Sequence, residues 1–205
     1  LITIIVIPFY TILGVFLAII SAYVFYFFRD PLRAVPIDEV VVSPADGVVT
    51  YIGSQKNPLE NDNDQNTYTK VSIFLSVFDV HVNRMPINGS ISSINYIPGK
   101  FFNATLDKSS KENERNIISA KSNNDNFYIV QIAGLIARRI VCNLKEKQEV
   151  EKGERIGIIK FGSRVDLYLP ENYDLLIAKG QRVIGGETII SNPKTINKIK
   201  NSKLI

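Results

Sequence analysis

Three side chains in this sequence have types and settings that could support covalent or proton-transfer chemistry: His81, Asp46 and Ser163. His81 is the chain's single histidine. It lies in Phe74-Leu-Ser-Val-Phe-Asp-Val-His-Val-Asn-Arg-Met-Pro86, after an apolar run and before a proline. Asp79 and Arg84 place charge close by in sequence, although a lone histidine is more often a satisfied structural residue. Asp46 sits in Ser43-Pro-Ala-Asp-Gly47. Pro-x-Asp-Gly is turn chemistry, with Asp bonding its own backbone and Gly taking positive φ, so spacing alone leaves a catalytic role open. Ser163 follows Gly162, and Gly-Ser also occurs at Gly53-Ser54 and Gly89-Ser90. Only the third pair interrupts an apolar run. A hydroxyl there could attack the preceding carbonyl in an N-to-O acyl shift, which a residue without a side chain makes sterically easiest. A glycine bulge within a hairpin fits the same residues.

Composition removes several chemistries. One Cys and one His exclude a disulfide framework, a Cys-rich zinc site and a multi-histidine metal centre. The single Cys fits a reducing compartment. A net charge of +4 without a Lys/Arg cluster gives no argument for nucleic acid.

The elements that must position these residues fall into two unlike parts. Residues 1–28 carry no charge, and all 24 Lys/Arg and 20 Asp/Glu residues follow them. A bilayer core needs about 20 apolar helical residues, so this run is long enough to span. Pro8 is expected to divide it, with Phe9 to Phe28 as the span and 1–7 as the end of something earlier. The chain starts on Leu1, which leaves room for an upstream segment. A signal peptide or a buried core helix fits less well, given the run's length and its ending in Tyr26, Phe27, Phe28 and then Arg29 and Arg33. Aromatics followed by Arg read as an interfacial belt with a positive-inside flank, which puts the body on the cytoplasmic side of the cell (inner) membrane.

After Pro36 the pattern is short and β-rich, long enough for one domain with a core. Strands are expected at Val40–Val42, Val48–Ile52, Val71–Leu75, Ser90–Ile97, Phe127–Ala133, Arg155–Phe161 and Val165–Leu169. The polar stretches 54–67 and 107–126 read as loops, the second with a helical turn. Ile132–Asn143 reads as a weak helix or a strand. The body is therefore mainly β, a compact barrel- or sandwich-like arrangement with short turns. Lys152-Gly-Glu-Arg-Ile-Gly157 recurs as Lys179-Gly-Gln-Arg-Val-Ile-Gly185, an echo typical of small β-barrels with tight glycine corners.

Taken in order, these stretches resemble the short, membrane-anchored form of the phosphatidylserine decarboxylase family. The matching segments are Phe27-Phe-Arg-Asp-Pro-Leu-Arg33, Ser43-Pro-Ala-Asp-Gly47, the segment from Phe74 to Pro86, Pro98-Gly-Lys-Phe-Phe-Asn-Ala104, Asn113-Glu-Arg115, Gln131-Ile-Ala-Gly-Leu-Ile-Ala-Arg-Arg139, Phe161-Gly-Ser163 and Gly186-Glu-Thr188. The resemblance implies a proenzyme that cuts itself between Gly162 and Ser163 into a larger chain, 1–162, and a smaller one, 163–205, which stay together as a heterodimer. Ser163 would become a covalent pyruvoyl group, with neither pyridoxal phosphate nor a metal. Its ketone would form a Schiff base with phosphatidylserine in the membrane, CO2 would leave, and phosphatidylethanolamine would follow.

The resemblance also assigns roles to residues. His81 matches the histidine of decarboxylation, as proton donor, and Asp46 the acidic member of the self-cleavage triad with Ser163. The longer forms carry a second histidine where this chain has Arg84, and an arginine cannot act as a general base. Arg84, Arg138 and Arg139 are candidates for the substrate's carboxylate or phosphate, the latter two reading equally as solvated charges. The competing reading is a lipoyl/biotinyl-like carrier or a membrane-anchored adaptor β domain, since the repeated Lys-Gly-x-Arg turn echoes that barrel-sandwich family.

Overall fold

A computed structural model describes residues 2–59, 66–102, 112–134, 139–160, 163–193 and 202–204. Helix α1 spans Ile2–Phe27 without a break at Pro8. This corrects the expected division: a proline removes one N–H from the ladder, a loss that apolar helices of this kind tolerate. Tyr10–Phe27 has a mean hydropathy of 2.0 and is long and apolar enough to cross a membrane.

Among the described residues the body has sixteen strands: β1 Ala34–Pro36, β2 Val41–Val42, β3 Gly47–Lys56, β4 Thr67–Leu75, β5 Val82–Arg84, β6 Gly89–Ile97, β7 Arg115–Ser122, β8 Asp125–Ala133, β9 Ile140–Cys142, β10 Glu149–Val150, β11 Arg155–Ile159, β12 Ser163–Pro170, β13 Tyr173–Leu175, β14 Arg182–Val183, β15 Ile189–Pro193 and β16 Ser202–Leu204. Eight of them form one antiparallel sheet in the order β10-β6-β7-β8-β12-β4-β3-β14. Two three-stranded sheets, β5-β11-β9 and β13-β15-β2, and the pair β1-β16 complete the body. The expected β-rich, barrel- or sandwich-like class is what the strands form.

Each expected strand has a counterpart, but two expectations are corrected. Part of the supposed loop 107–126 is β7, buried from Arg115 to Ala120. Its Ile117, Ile118 and Ala120 are enough to seat it between β6 and β8, and its polar residues hid it. The stretch Ile132–Asn143 holds the end of β8 and then β9, so strand, not helix, is what its β-branched residues form among the described residues.

Period-2 alternation sorts the central strands onto two faces. Val71, Ile73 and Leu75 of β4, Phe127, Ile129 and Ala133 of β8, and Val165, Leu167 and Leu169 of β12 belong to the main apolar core. Tyr128, Val130 and Ile132 of β8 and Tyr168 of β12 pack on the other face with Tyr68 and Ile117. The repeated turn is real in three dimensions. Gly153 and Gly180 have φ of +86° and +89°, a region that suits glycine. The N–H of Glu151 donates to Glu154 Oε2, as that of Ala178 donates to Gln181 Oε1. Lys152 of the first copy is buried, and its Nζ donates to the carbonyls of Asp38 and Val40. An ammonium held in this way is not presented as a carrier lysine.

Candidate active site

Ser163 opens β12, the strand between β4 and β8, with Leu75 and Ala133 as its cross-strand partners. By alternation its side chain lies on the apolar-core face with Val165 and Leu167. Ser163 is fully buried, and among the described residues its Oγ has no hydrogen-bond partner. Leaving a buried hydroxyl unpaired costs about 1–3 kcal/mol, and Ser119 Oγ is the other buried hydroxyl so placed among the described residues. Gly162 and Phe161 lie outside the described residues.

His81 reaches the same end of the molecule by the loop that follows β4. Its neighbour Val82 pairs with Ile158 of β11, so His81 stands beside Ile159, four residues before Ser163 in the sequence. The ring is fully buried. Its Nδ1 lies 2.9 Å from the Asp79 carbonyl oxygen. That oxygen can only accept, so Nδ1 carries the proton and Nε2 is the nitrogen with the lone pair. Phe27 of α1, also buried, stacks against the imidazole with centroids 4.2 Å apart and planes at 35°. Burial pushes the His81 pKa below its ordinary value of 6.5, against the opposing pull of the Asp79 carbonyl and carboxylate. The ring is therefore neutral at pH 7.

Asp46 precedes β3 on the far side of β4. Val48 pairs with Phe74, so Gly47 falls beside Leu75 with Ser163 on Leu75's other flank. Two strand spacings put Ser163 and Gly47 roughly 10 Å apart along the backbone. A Cβ on Gly47 would lie 2.2 Å from the Phe74 carbonyl oxygen, so this corner of the Pro-x-Asp-Gly turn requires glycine. The Asp46 carboxylate takes Arg33 Nη2 at 2.9 and 3.0 Å and the Gly185 N–H at 2.8 Å. Burial raises its pKa above 3.8 despite both. The group that holds the His81 ring is thus Asp79, not Asp46. Asp79 in turn accepts from the Ser76 N–H at 2.8 Å and pairs with Arg182.

Arg84 is buried, with Nη2 2.6 Å from Asp30 Oδ1 and 3.1 Å from the Pro31 carbonyl, and Nη1 2.9 Å from the Gly153 carbonyl. This guanidinium ties the segment after α1 to the β10–β11 turn. The geometry favours that tie over contact with a substrate. Arg139 is exposed beside β9, and Arg138 lies outside the described residues. Sequence reasoning passed over Arg33 and Phe27 as site residues. Both lie in the segment Phe27–Arg33, which read as a membrane flank and as a family-like segment, with no role given to either side chain.

The phosphatidylserine decarboxylase family model matches residues 20–191. Three curated relatives have the name phosphatidylserine decarboxylase proenzyme. That of Ehrlichia chaffeensis is 52% identical over 182 residues, covering 87% of this chain and 79% of the relative. That of Rickettsia africae is 53% identical, covering 88% and 79%. The protein of Rickettsia akari is 54% identical over 176 residues, covering 85% and 76%. The family match covers most of the chain, including every strand from β1 to β14, and with it the buried serine and the histidine brought to one end of the sheet: the chain belongs to the phosphatidylserine decarboxylase family.

Proposed function

We infer that this protein is a self-processing enzyme that decarboxylates phosphatidylserine to phosphatidylethanolamine, with Ser163 as the precursor of its reactive group. The observation that carries the reading is the buried, unpartnered Oγ at the head of the central strand. Ser163 Oγ attacks the Gly162 carbonyl carbon, its proton passes to a base, and the scissile nitrogen leaves as the amine of Ser163. Loss of the Ser163 Cα proton then breaks the Cβ–O ester bond, freeing residues 1–162 with a carboxylate end. Water releases ammonia from the resulting enamine and leaves a pyruvoyl ketone on residues 163–205.

The setting fits that group. A serine flanked by Leu75 and Ala133 on the core face becomes a smaller, uncharged ketone without stranding a buried charge. When present, the pyruvoyl group supplies an electron sink for decarboxylation. His81, neutral and held through Nδ1, takes at Nε2 the proton that the substrate's ammonium must lose to react with the ketone, and returns it to the substrate carbon that CO2 leaves. With arginine in place of the second histidine, His81 also serves as the base for Ser163. Asp46 acts through position, by fixing Arg33 and the Gly185 backbone.

The two chains stay associated because the smaller one supplies β12 between β4 and β8, β14 on β3, β15 on β2 and β16 on β1. Arg29 and Arg33 support a cytoplasmic body below the membrane helix.

Denaturing gels of purified protein, prepared without protease or pyridoxal phosphate, test the reading. They should show a 43-residue fragment whose N terminus resists Edman sequencing. Active protein that migrates solely as the uncut chain would refute it. Alkaline carbonate should fail to extract the full-length protein, and clean extraction would mean a peripheral one.

A further inference from the structure

We propose that Phe27, the last residue of α1, is a positioning residue for His81, closing over the imidazole and joining the apolar helix to the proton-handling group. The proposal rests on the reading of His81 given above and extends it to the helix. Within Tyr10–Phe27, a window suited to lipid, Phe27 is the one buried side chain, whereas Phe25 is 81% exposed. An apolar side chain on such a helix gains nothing by leaving lipid, so its burial against an ionisable ring needs a cause in the body.

The contact is built from both sides. Ahead of Phe27, the Tyr23 hydroxyl donates to the Val77 carbonyl at 3.1 Å. Beyond it, Arg29 Nη2 donates to the Phe78 carbonyl at 2.8 Å. Both carbonyls belong to the short loop that delivers His81. Phe28 meets Phe27 edge-on at 5.1 Å, and Tyr23 lies 6.3 Å from it. The Asp79 carbonyl fixes the imidazole at Nδ1 while the Phe27 ring fixes its plane, and together they set the direction of Nε2. The same ring keeps water from the imidazole. The charged groups that act on His81 are Asp79, which favours its protonation, and Arg29, which opposes it.

Because His81 is the only histidine, its reagent sensitivity and its nuclear magnetic resonance report one site. Full-length protein in detergent micelles is compared as wild type, Phe27→Ala, Phe27→Leu, Phe27→Tyr and Phe25→Ala. In Phe27→Ala, diethyl pyrocarbonate should modify His81 about 10-fold faster, and turnover by the processed fraction should fall about 10- to 100-fold, the scale of a small misplacement. Phe25→Ala, which removes the same ring from an exposed position, should stay within about twofold of wild type by both measures. Phe27→Tyr should restore the contact. In uncut Ser163→Ala protein, adding Phe27→Leu should move the His81 titration midpoint upward. Equal losses in Phe25→Ala and Phe27→Ala would assign the effect to anchoring and overturn the proposal. So would unchanged reactivity and midpoint in folded Phe27→Leu, which decides the matter should Phe27→Ala not fold. If processed His81→Ala turned over normally, the proton role of His81 would fall instead, and the reagent and titration results would still report the contact.

Discussion

Ser163 and Arg164 are neighbours in the chain and point to opposite faces of β12, one face apolar and the other charged. On the Ser163 side an unpaired hydroxyl stands among Leu75, Ala133 and Val165. On the Arg164 side two buried cations share one carboxylate as ion pairs, while among the described residues Arg164 Nε and Asp166 Oδ1 form no hydrogen bond. Asp166, 1% exposed at its side chain, lies 2.8 Å from Arg164 Nε and 3.1 Å from Lys70 Nζ, and accepts from Arg164 Nη2 at 3.1 Å. Lys70 also lies 5.8 Å from the Tyr168 ring centroid. A buried charge is tolerated where partners surround it, whereas a buried hydroxyl left unpaired is a net loss. Among the described residues Ser119 Oγ is buried without a hydrogen-bond partner as well, so what sets Ser163 apart is an unpaired hydroxyl that also follows Gly162 at the head of the central strand.

The sharpest way to break this comparison is Ser163→Ala. It should abolish both cleavage and activity, seen on a denaturing gel and as CO2 release. Its thermal unfolding should be unchanged or raised, because the substitution removes an unsatisfied polar atom from an apolar setting. A marked loss of stability would show that the hydroxyl is structural after all and would erase the contrast between the two faces.

His81→Ala is expected next in size. A base for Ser163 is needed once per protein lifetime, whereas proton return is needed at every turnover. Losing a positioned proton-transfer group costs about 10²–10⁴ in rate. Processing slowed by that factor can still finish during expression, but turnover cannot hide it. Processed His81→Ala should therefore accumulate, bind the substrate's amine in a borohydride-trappable form and release CO2 poorly. Near-wild-type turnover would place the catalytic proton elsewhere. Both roles begin from the neutral ring, and burial lowers its pKa. The acid limb of the processing rate should accordingly lie below pH 6.5, and a limb above that value would contradict the neutral assignment.

On the other face, Asp166→Ala should leave Lys70 and Arg164 buried without their shared carboxylate. Removing one partner of a buried ion pair costs about 3–5 kcal/mol, which denaturant unfolding would show as a lower midpoint. Such protein as still folds should cut itself, because the reacting side chain lies on the other face. Failure to cut in folded Asp166→Ala would couple the faces and refute their separation.

Much of this was legible in the sequence, and the exceptions share one cause. The Gly162-Ser163 interruption of an apolar run predicted a serine set within strand surroundings, while the face it shares came from the register of β12 with β4 and β8. The two Lys-Gly-x-Arg segments predicted matching turns. Strand β7 was missed because Asn116 and Ser119 made its surroundings read as loop, and only its neighbours β6 and β8 reveal it as central. Arg33 and Phe27 were legible as residue types but not as partners of Asp46 and His81. Pairing between segments so far apart depends on how the strand following α1 and the loop after β4 meet, and no local pattern encodes that meeting.

The smallest expected effect tests how far the charged face depends on each member. Lys70→Met keeps the stem that spans the sheet and removes only the ammonium. Asp166 then retains Arg164 at both oxygens, so no charge is stranded, in contrast with loss of the carboxylate. Hydrogen bonds to charged groups are worth about 1.5–3 kcal/mol, and the gain from burying a thioether offsets part of that. The substitution should therefore cost less than Asp166→Ala by denaturant unfolding, with processing and turnover unchanged. A cost equal to that of Asp166→Ala would mean that Lys70, and not Arg164, is the counter-ion that keeps Asp166 charged. That result would redraw the charged face around the cation on β4, while the chemistry of Ser163 would remain on the opposite side of the strand.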